Sequence, residues 1–221
     1  MRTLRLILFL SLAPFALADE IHDLVTAGDL EELLAALQAD PTQANAKDAA
    51  GWTPLHSAAA RGQVATVQAL LARRANPNTR TKTQSTPLLL AAFNQHTAVA
   101  KALLNAGADP TLAGEKMFSP LSAAASKGNL ELVKLLLDYG AHLDAGDWRR
   151  VTTLHEAVRA GHQKVVEELV TRGAQVNAPT TEGETPLDWA VAEGRDALAT
   201  RLRELGGRPG TCFPARRFTS R

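Results

Sequence analysis

Apolar residues recur at i, i+3 and i+4 in four short segments: Val67, Leu70 and Leu71; Ala100, Leu103 and Leu104; Val133, Leu136 and Leu137; Val166, Leu169 and Val170. That spacing predicts a helix in each segment, with one buried stripe. Every stripe lies 33 residues after the one before. Ahead of the first three run alanine pairs, Ala58-Ala59, Ala91-Ala92 and Ala123-Ala124, which predict a thin first helix that neighbours can approach closely. A glycine breaks the chain between the two helices of a unit, as at Gly62, Gly128, Gly161 and Gly194. Another ends the second helix at Gly107, Gly140 and Gly173, where a left-handed residue can close it. Gln95 and Arg74 stand at such glycine places, so either φ is positive and strained there or the geometry differs.

One phrase opens each first helix: Thr53-Pro54-Leu55-His56, Thr86-Pro87-Leu88-Leu89, Ser119-Pro120-Leu121-Ser122, Thr152-Thr153-Leu154-His155 and Thr185-Pro186-Leu187-Asp188. The Thr or Ser hydroxyl accepts from an orphan backbone N–H at the helix start. Proline at the first helical position has no N–H to waste and a φ already set for the helix. Histidine at the third position is placed to reach back to the cap, as Glu does in a capping box.

This period with this phrase resembles the ankyrin repeat. The resemblance covers residues 19–207 and implies an all-α fold, a solenoid of stacked helix-turn-helix pairs joined by short hairpin loops. Residues 19–45 read as a degenerate first repeat that serves as N-terminal cap, with Ile21, Leu24, Val25, Leu30, Leu33, Leu34 and Leu37 apolar and Asp29, Glu31 and Glu32 polar. Four repeats begin near 48, 81, 114 and 147, and a C-terminal cap spans 180–207, where Arg203 takes the place of an apolar residue. Solenoid ends show a polar face to water. A basic tail, 208–221, is expected to be flexible.

Residues 1–18 are a different object. Arg2 and Arg5, an apolar run from Leu6 to Leu12, and Ala16-Leu17-Ala18 make a secretory signal peptide with cleavage before Asp19. The alternative is an uncleaved anchor, but the run falls short of the roughly 20 residues that span a bilayer. No membrane insertion is expected after cleavage. Composition and the compact signal point to a bacterial periplasm first and the extracellular medium second. The whole chain carries +1. Without the signal and the tail arginines it has 18 basic against 23 acidic residues, which argues against nucleic acid as partner. Cys212 is the single cysteine, so no internal disulfide forms. Its thiol is idle or takes an intermolecular role.

Chemistry is hard to find along the sequence. His56 and His155 belong to the repeated phrase, and His96 and His162 occupy equivalent places opening a second helix. No His pair has zinc-hydrolase spacing, and no phosphate-cradling loop or nucleophile elbow is present. No cofactor, no metal and no enzyme activity are expected. Family resemblance instead implies a protein partner held on hairpin tips and first helices. The candidates are Trp52, Lys82, Phe93, Asn94, Met117, Phe118, Trp148, Arg149 and Arg159, with Val151 beside them. Trp and Arg are enriched among interface hot spots. Trp189 falls inside a first helix and is expected to pack. The expected function is non-catalytic protein binding by a monomeric exported adaptor or stabilising partner. The resemblance to exported bacterial ankyrin proteins adds a setting in peroxide defence. An inhibitor or immunity protein that occludes a toxin or hydrolase is the alternative, and a redox role through Cys212 a third reading.

Overall fold

The computed structural model describes residues 14–211, with side chains from Glu20 onward. Six helix pairs follow one another: α1 (Pro14–Ala27) and α2 (Leu30–Ala39), α3 (Pro54–Ala60) and α4 (Val64–Ala72), α5 (Pro87–Phe93) and α6 (Thr97–Asn105), α7 (Pro120–Ser126) and α8 (Leu130–Asp138), α9 (Thr153–Ala160) and α10 (Gln163–Thr171), α11 (Pro186–Ala192) and α12 (Asp196–Glu204). Each first helix packs on its own second helix and on the first helix of the next pair. No strand occurs among the described residues, only an isolated bridge between Gly146 and Thr152. The expected all-α ankyrin solenoid is the observed architecture.

The inner first helices have seven or eight residues. Helices that short do not hold alone in water, so stacking stabilises them. Ala58, Ala91, Ala124, Ala157 and Ala190 occupy one repeated position and are all fully buried, where a larger side chain would push neighbouring helices apart. The phrase leucines Leu55, Leu88, Leu121, Leu154 and Leu187 are buried in the same layer. Burying one leucine stabilises the fold by about 1.5–3 kcal/mol.

Polar side chains join one repeat to the next. His56 Nδ1 accepts from the Thr53 N–H at 3.0 Å, completing the cap, while Nε2 reaches the carbonyl of Ser85 in the following unit at 3.1 Å. His155 repeats the arrangement with Thr152 and Glu184. The second-helix openers do a parallel task. Gln63 Nε2 donates to Val25 O, and Arg195 donates to Arg159 O. His96 bonds Ala60 O and His162 bonds Ser126 O. The carbonyls of Ala60, Ser126 and Arg159 stand at the end of the first helix of the preceding repeat, where no further turn supplies a partner, while Val25 O accepts from Gly28 N as well.

This explains the pattern of glycines. A Cβ on Gly128 would stand 2.5 Å from His162 Nδ1, and one on Gly62 would stand 2.6 Å from His96 Nδ1. Both glycines are also left-handed. Gln95 is left-handed too, with φ of 63°, but the opener that follows its repeat is the shorter Asn129, bonded to Thr97. A Cβ is tolerated where neither an imidazole, as at Gly128, nor a guanidinium, as at Gly161, is stacked on the turn. Arg74 likewise keeps a φ of 63°, so both departures resolve as strain with the geometry retained.

The last pair shows what a missing neighbour does. Val158 in α9 is fully buried, whereas Val191, one repeat later, is 54% exposed. Arg203 is solvent-exposed where Leu104 is buried. The chain from 207 onward is held: Arg208 N donates to Asn177 Oδ1, Thr185 Oγ1 donates to Arg208 O at 2.8 Å, and Gly210 N donates to Asp188 Oδ2 at 2.8 Å. The expectation of a tail flexible from 208 is corrected for residues 208–210, which follow the course of a further hairpin's first residues. Cys212 and the rest of the tail lie outside the described residues, as do residues 1–13 of the expected signal. Helix α1 runs through the expected cleavage point between Ala18 and Asp19.

Candidate protein-binding surface

Five hairpins lead into the first helices α3, α5, α7, α9 and α11. Each is closed by one backbone bond, from Asp48 N to Trp52 O, Thr81 N to Ser85 O, Gly114 N to Phe118 O, Asp147 N to Val151 O and Thr180 N to Glu184 O. The Asp48 carboxylate accepts from the amides of Ala50 and Trp52, and Asp147 accepts from those of Arg149 and Val151. Neighbouring hairpins are tied by Lys82 N to Ala50 O and by Thr181 N to Arg149 O.

The residue before the phrase closes the hairpin base and turns toward the stack. Three expectations are corrected by this. Val151 is buried, so it offers nothing to a partner. Phe118 is half-buried and packs against the core. Trp52 is half-buried with its ring 6.1 Å from that of His56. Sequence position relative to the phrase carries this information, because Trp52, Phe118 and Val151 occupy one place in the repeat.

The true tips are elsewhere. Trp148 is 66% exposed and Met117 60% exposed. Lys82 is exposed, and Arg149 lies 3.5 Å from Glu182 of the next hairpin. On the first helices, Phe93 is 49% exposed at the end of α5. The Lys127 ammonium stands 4.6 Å from the Phe93 ring centroid, a cation–π contact between adjacent repeats. Asn94 turns its side chain back to Leu90 O, and Arg159 pairs with Glu156 at 2.6 Å. Trp189 is half-buried, edge-on to His155 and donating to Glu184.

Lys127, Gln84 and Arg150 were missed. Lys127 sits in its repeat where Asn94 sits in the preceding one, so the period alone could have found it. Gln84 and Arg150 have φ near +60° at the place held by Gly51 and Gly183, a signal readable only against the other repeats.

A cleft of about 210 Å³ lies between the fourth and fifth hairpins, lined by Asp144, Asp147, Arg150, Gln175, Ala178 and Pro179 among others, but Asp147 is engaged by turn amides. Among the described residues no group of three His, Cys, Asp or Glu is placed to hold a metal. Burial pushes the His56 imidazole down to about 4, and His155 is lowered for the same reason, so both are neutral structural groups.

A family model described as ankyrin repeats (3 copies) matches residues 21–114 and again 121–210. The chain belongs to the ankyrin-repeat family. Two matches of three copies agree with the six helix pairs. Ankyrin repeats generally mediate protein–protein interaction, and the family is typically a non-catalytic interaction module. No curated protein matches the chain.

Proposed function

We propose that the chain is an exported, monomeric adaptor or stabilising partner that binds another protein along its hairpin tips and first helices. The observation that carries this is the exposure of Trp148, Met117 and Phe93 on those elements of a stack whose core is otherwise closed. Leaving large apolar groups in water is unfavourable unless a partner covers them, and such residues serve as anchors. Export rests on Arg2, Arg5, the run Leu6 to Leu12 and Ala16-Leu17-Ala18, with the periplasm as destination. No helix among the described residues is long and apolar enough to cross a membrane. Nucleic acid is disfavoured by the acidic balance of the array. Peroxide defence is the setting suggested by the resemblance to exported bacterial ankyrin proteins.

A second reading, an inhibitor that occludes a hydrolase or toxin, draws on the same anchors. Pull-down from periplasmic extract with the full chain, beside a variant carrying Phe93→Ala, Met117→Ala and Trp148→Ala, tests the surface. A protein retained by the first bait and lost by the equally folded second supports it, and equal recovery overturns it. Peroxide sensitivity on deletion favours the stabilising role. Inhibition of the captured enzyme favours occlusion. N-terminal sequencing of the secreted product should begin at Asp19, and a product beginning at Met1 would refute export by a cleaved signal.

A further inference from the structure

Three independent features coincide on the three central hairpins. First, their left-handed tip position is held by Gln84, Met117 and Arg150, while the outer hairpins have Gly51 and Gly183 there. A side chain at φ near +60° is strained, and Gly would relieve that strain. Side chains kept in spite of strain mark places where the side chain has a use.

Second, these tips invert the charge of the array. The array as a whole is acidic. Lys82, Lys116 and Arg150 are nevertheless exposed, and among the described residues none of them forms an ion pair. These tips hold two carboxylates, Glu115 and Asp147, the second turned to the amides of its own turn, against the four cations Lys82, Lys116, Arg149 and Arg150. The fifth hairpin is the reverse, with Glu182 and Glu184 and no cation. Third, the two most exposed large apolar side chains, Met117 and Trp148, lie among the cations.

Resting on the reading of the hairpins as the binding surface, we propose that the three central hairpins take an acidic polypeptide segment bearing apolar side chains. Its carboxylates meet Lys82, Lys116 and Arg150, and its apolar groups cover Met117 and Trp148. The basic stretch ends at the fifth hairpin, where Glu182 pairs with Arg149 and Glu184 accepts from Trp189. Complementary charge of this kind sets specificity and association rate, and its effect weakens with salt.

The test is a selection of random dodecapeptides on the immobilised full chain, followed by affinity measurements on the enriched peptides. Acidic peptides carrying Leu, Phe or Trp are expected, with affinity falling as salt rises. Lys82→Gln with Lys116→Gln and Arg150→Gln should weaken them about 30-fold, as should Trp148→Ala alone. Lys101→Gln with Lys164→Gln, on the second helices, should leave them unchanged. Circular dichroism would confirm that all variants are equally folded. Neutral or basic peptides lost on Trp148→Ala would overturn the acidic class while keeping the surface. Acidic peptides indifferent to both sets of changes would overturn the surface as well, as would a selection that enriches nothing. Oligothymidylate binding as tightly as the peptides, independent of Trp148, would make the hairpins a general polyanion site and sink the proposal.

Discussion

Val158 and Val191 are the same residue at the same point of consecutive repeats, yet the first is fully buried and the second is largely in water. The fourth repeat has a neighbour on both sides and the last has one. The same comparison runs through their other positions. His155 spends its second nitrogen on the next repeat's Glu184 carbonyl, whereas Asp188, in the same place, accepts from Thr185 and Gly210 at the end of the stack. Gly161 lies under the guanidinium of Arg195, while a Cβ on Gly194 would meet nothing within 4 Å. Burial in a solenoid is therefore a property of the interface between repeats, and identical sequence has different worth at its two ends.

The largest effect expected from this difference is a pH dependence confined to the inner interfaces. The buried imidazole of His56 has a pKa near 4, against 6.5 when free, and that of His155 is lowered as well. At His56 the unfolded chain therefore binds a proton near pH 6.5 that the folded chain refuses until about pH 4, and His155 acts in the same direction. Stability is complete above about pH 7 and is lost as pH falls through that window, by up to about 3 kcal/mol for His56 with a further loss from His155. Urea unfolding at pH 7.5 and 4.5 measures it. His56→Gln with His155→Gln should remove most of the slope, and an unchanged slope would place its origin elsewhere.

Next in size is glycine. Gly128→Ala combines a left-handed φ with collision against the His162 ring and should lose about 2 kcal/mol or more, whereas Gly194→Ala faces the φ alone and should lose about 1 kcal/mol. Equal losses would show that the ring moves aside. Adding His162→Asn to Gly128→Ala should recover part of the loss, reproducing the natural pairing of Gln95 with Asn129.

The valines test the comparison directly. Val158→Ala should cost about 2 kcal/mol in thermal or denaturant unfolding, from lost burial and a residual cavity, and Val191→Ala less than about 0.5 kcal/mol. Similar costs would mean that the outer face of α11 is covered in solution. At the end of the stack, Asp188→Ala removes the cap on Thr185 and the clasp on Gly210 and should cost about 1 kcal/mol. Amide exchange at Gly210 should speed up in that variant. Unchanged exchange would show that the bonds of Arg208 to Thr185 and Asn177 suffice to hold the end.

The fold was legible because every local signal repeats. Thr, Pro, Leu and the glycines say the same thing five times, so one departure such as Thr153 or Gln95 does not disturb the reading. Binding residues were less legible. Trp52 and Phe118 looked like tip aromatics, but their place in the repeat, one after that of Met117 and three after that of Trp148, turns them from solvent toward the stack. Hairpin side chains alternate in direction, and composition is blind to that alternation. The strained tips Gln84 and Arg150 resemble ordinary polar loop residues until a backbone dihedral marks them.

By itself, then, the sequence determined the helix pairs, their register, the buried alanine and leucine layers and the family, because these depend on contacts whose spacing is written into a fixed period. Only the tertiary structure decided which aromatics face water, why Gly128 cannot carry a side chain while its counterpart Gln95 can, and that residues 208–210 clasp the last repeat. Those depend on atoms that meet across an interface between repeats, where the identity of the opposing group sets the outcome and no local pattern records it.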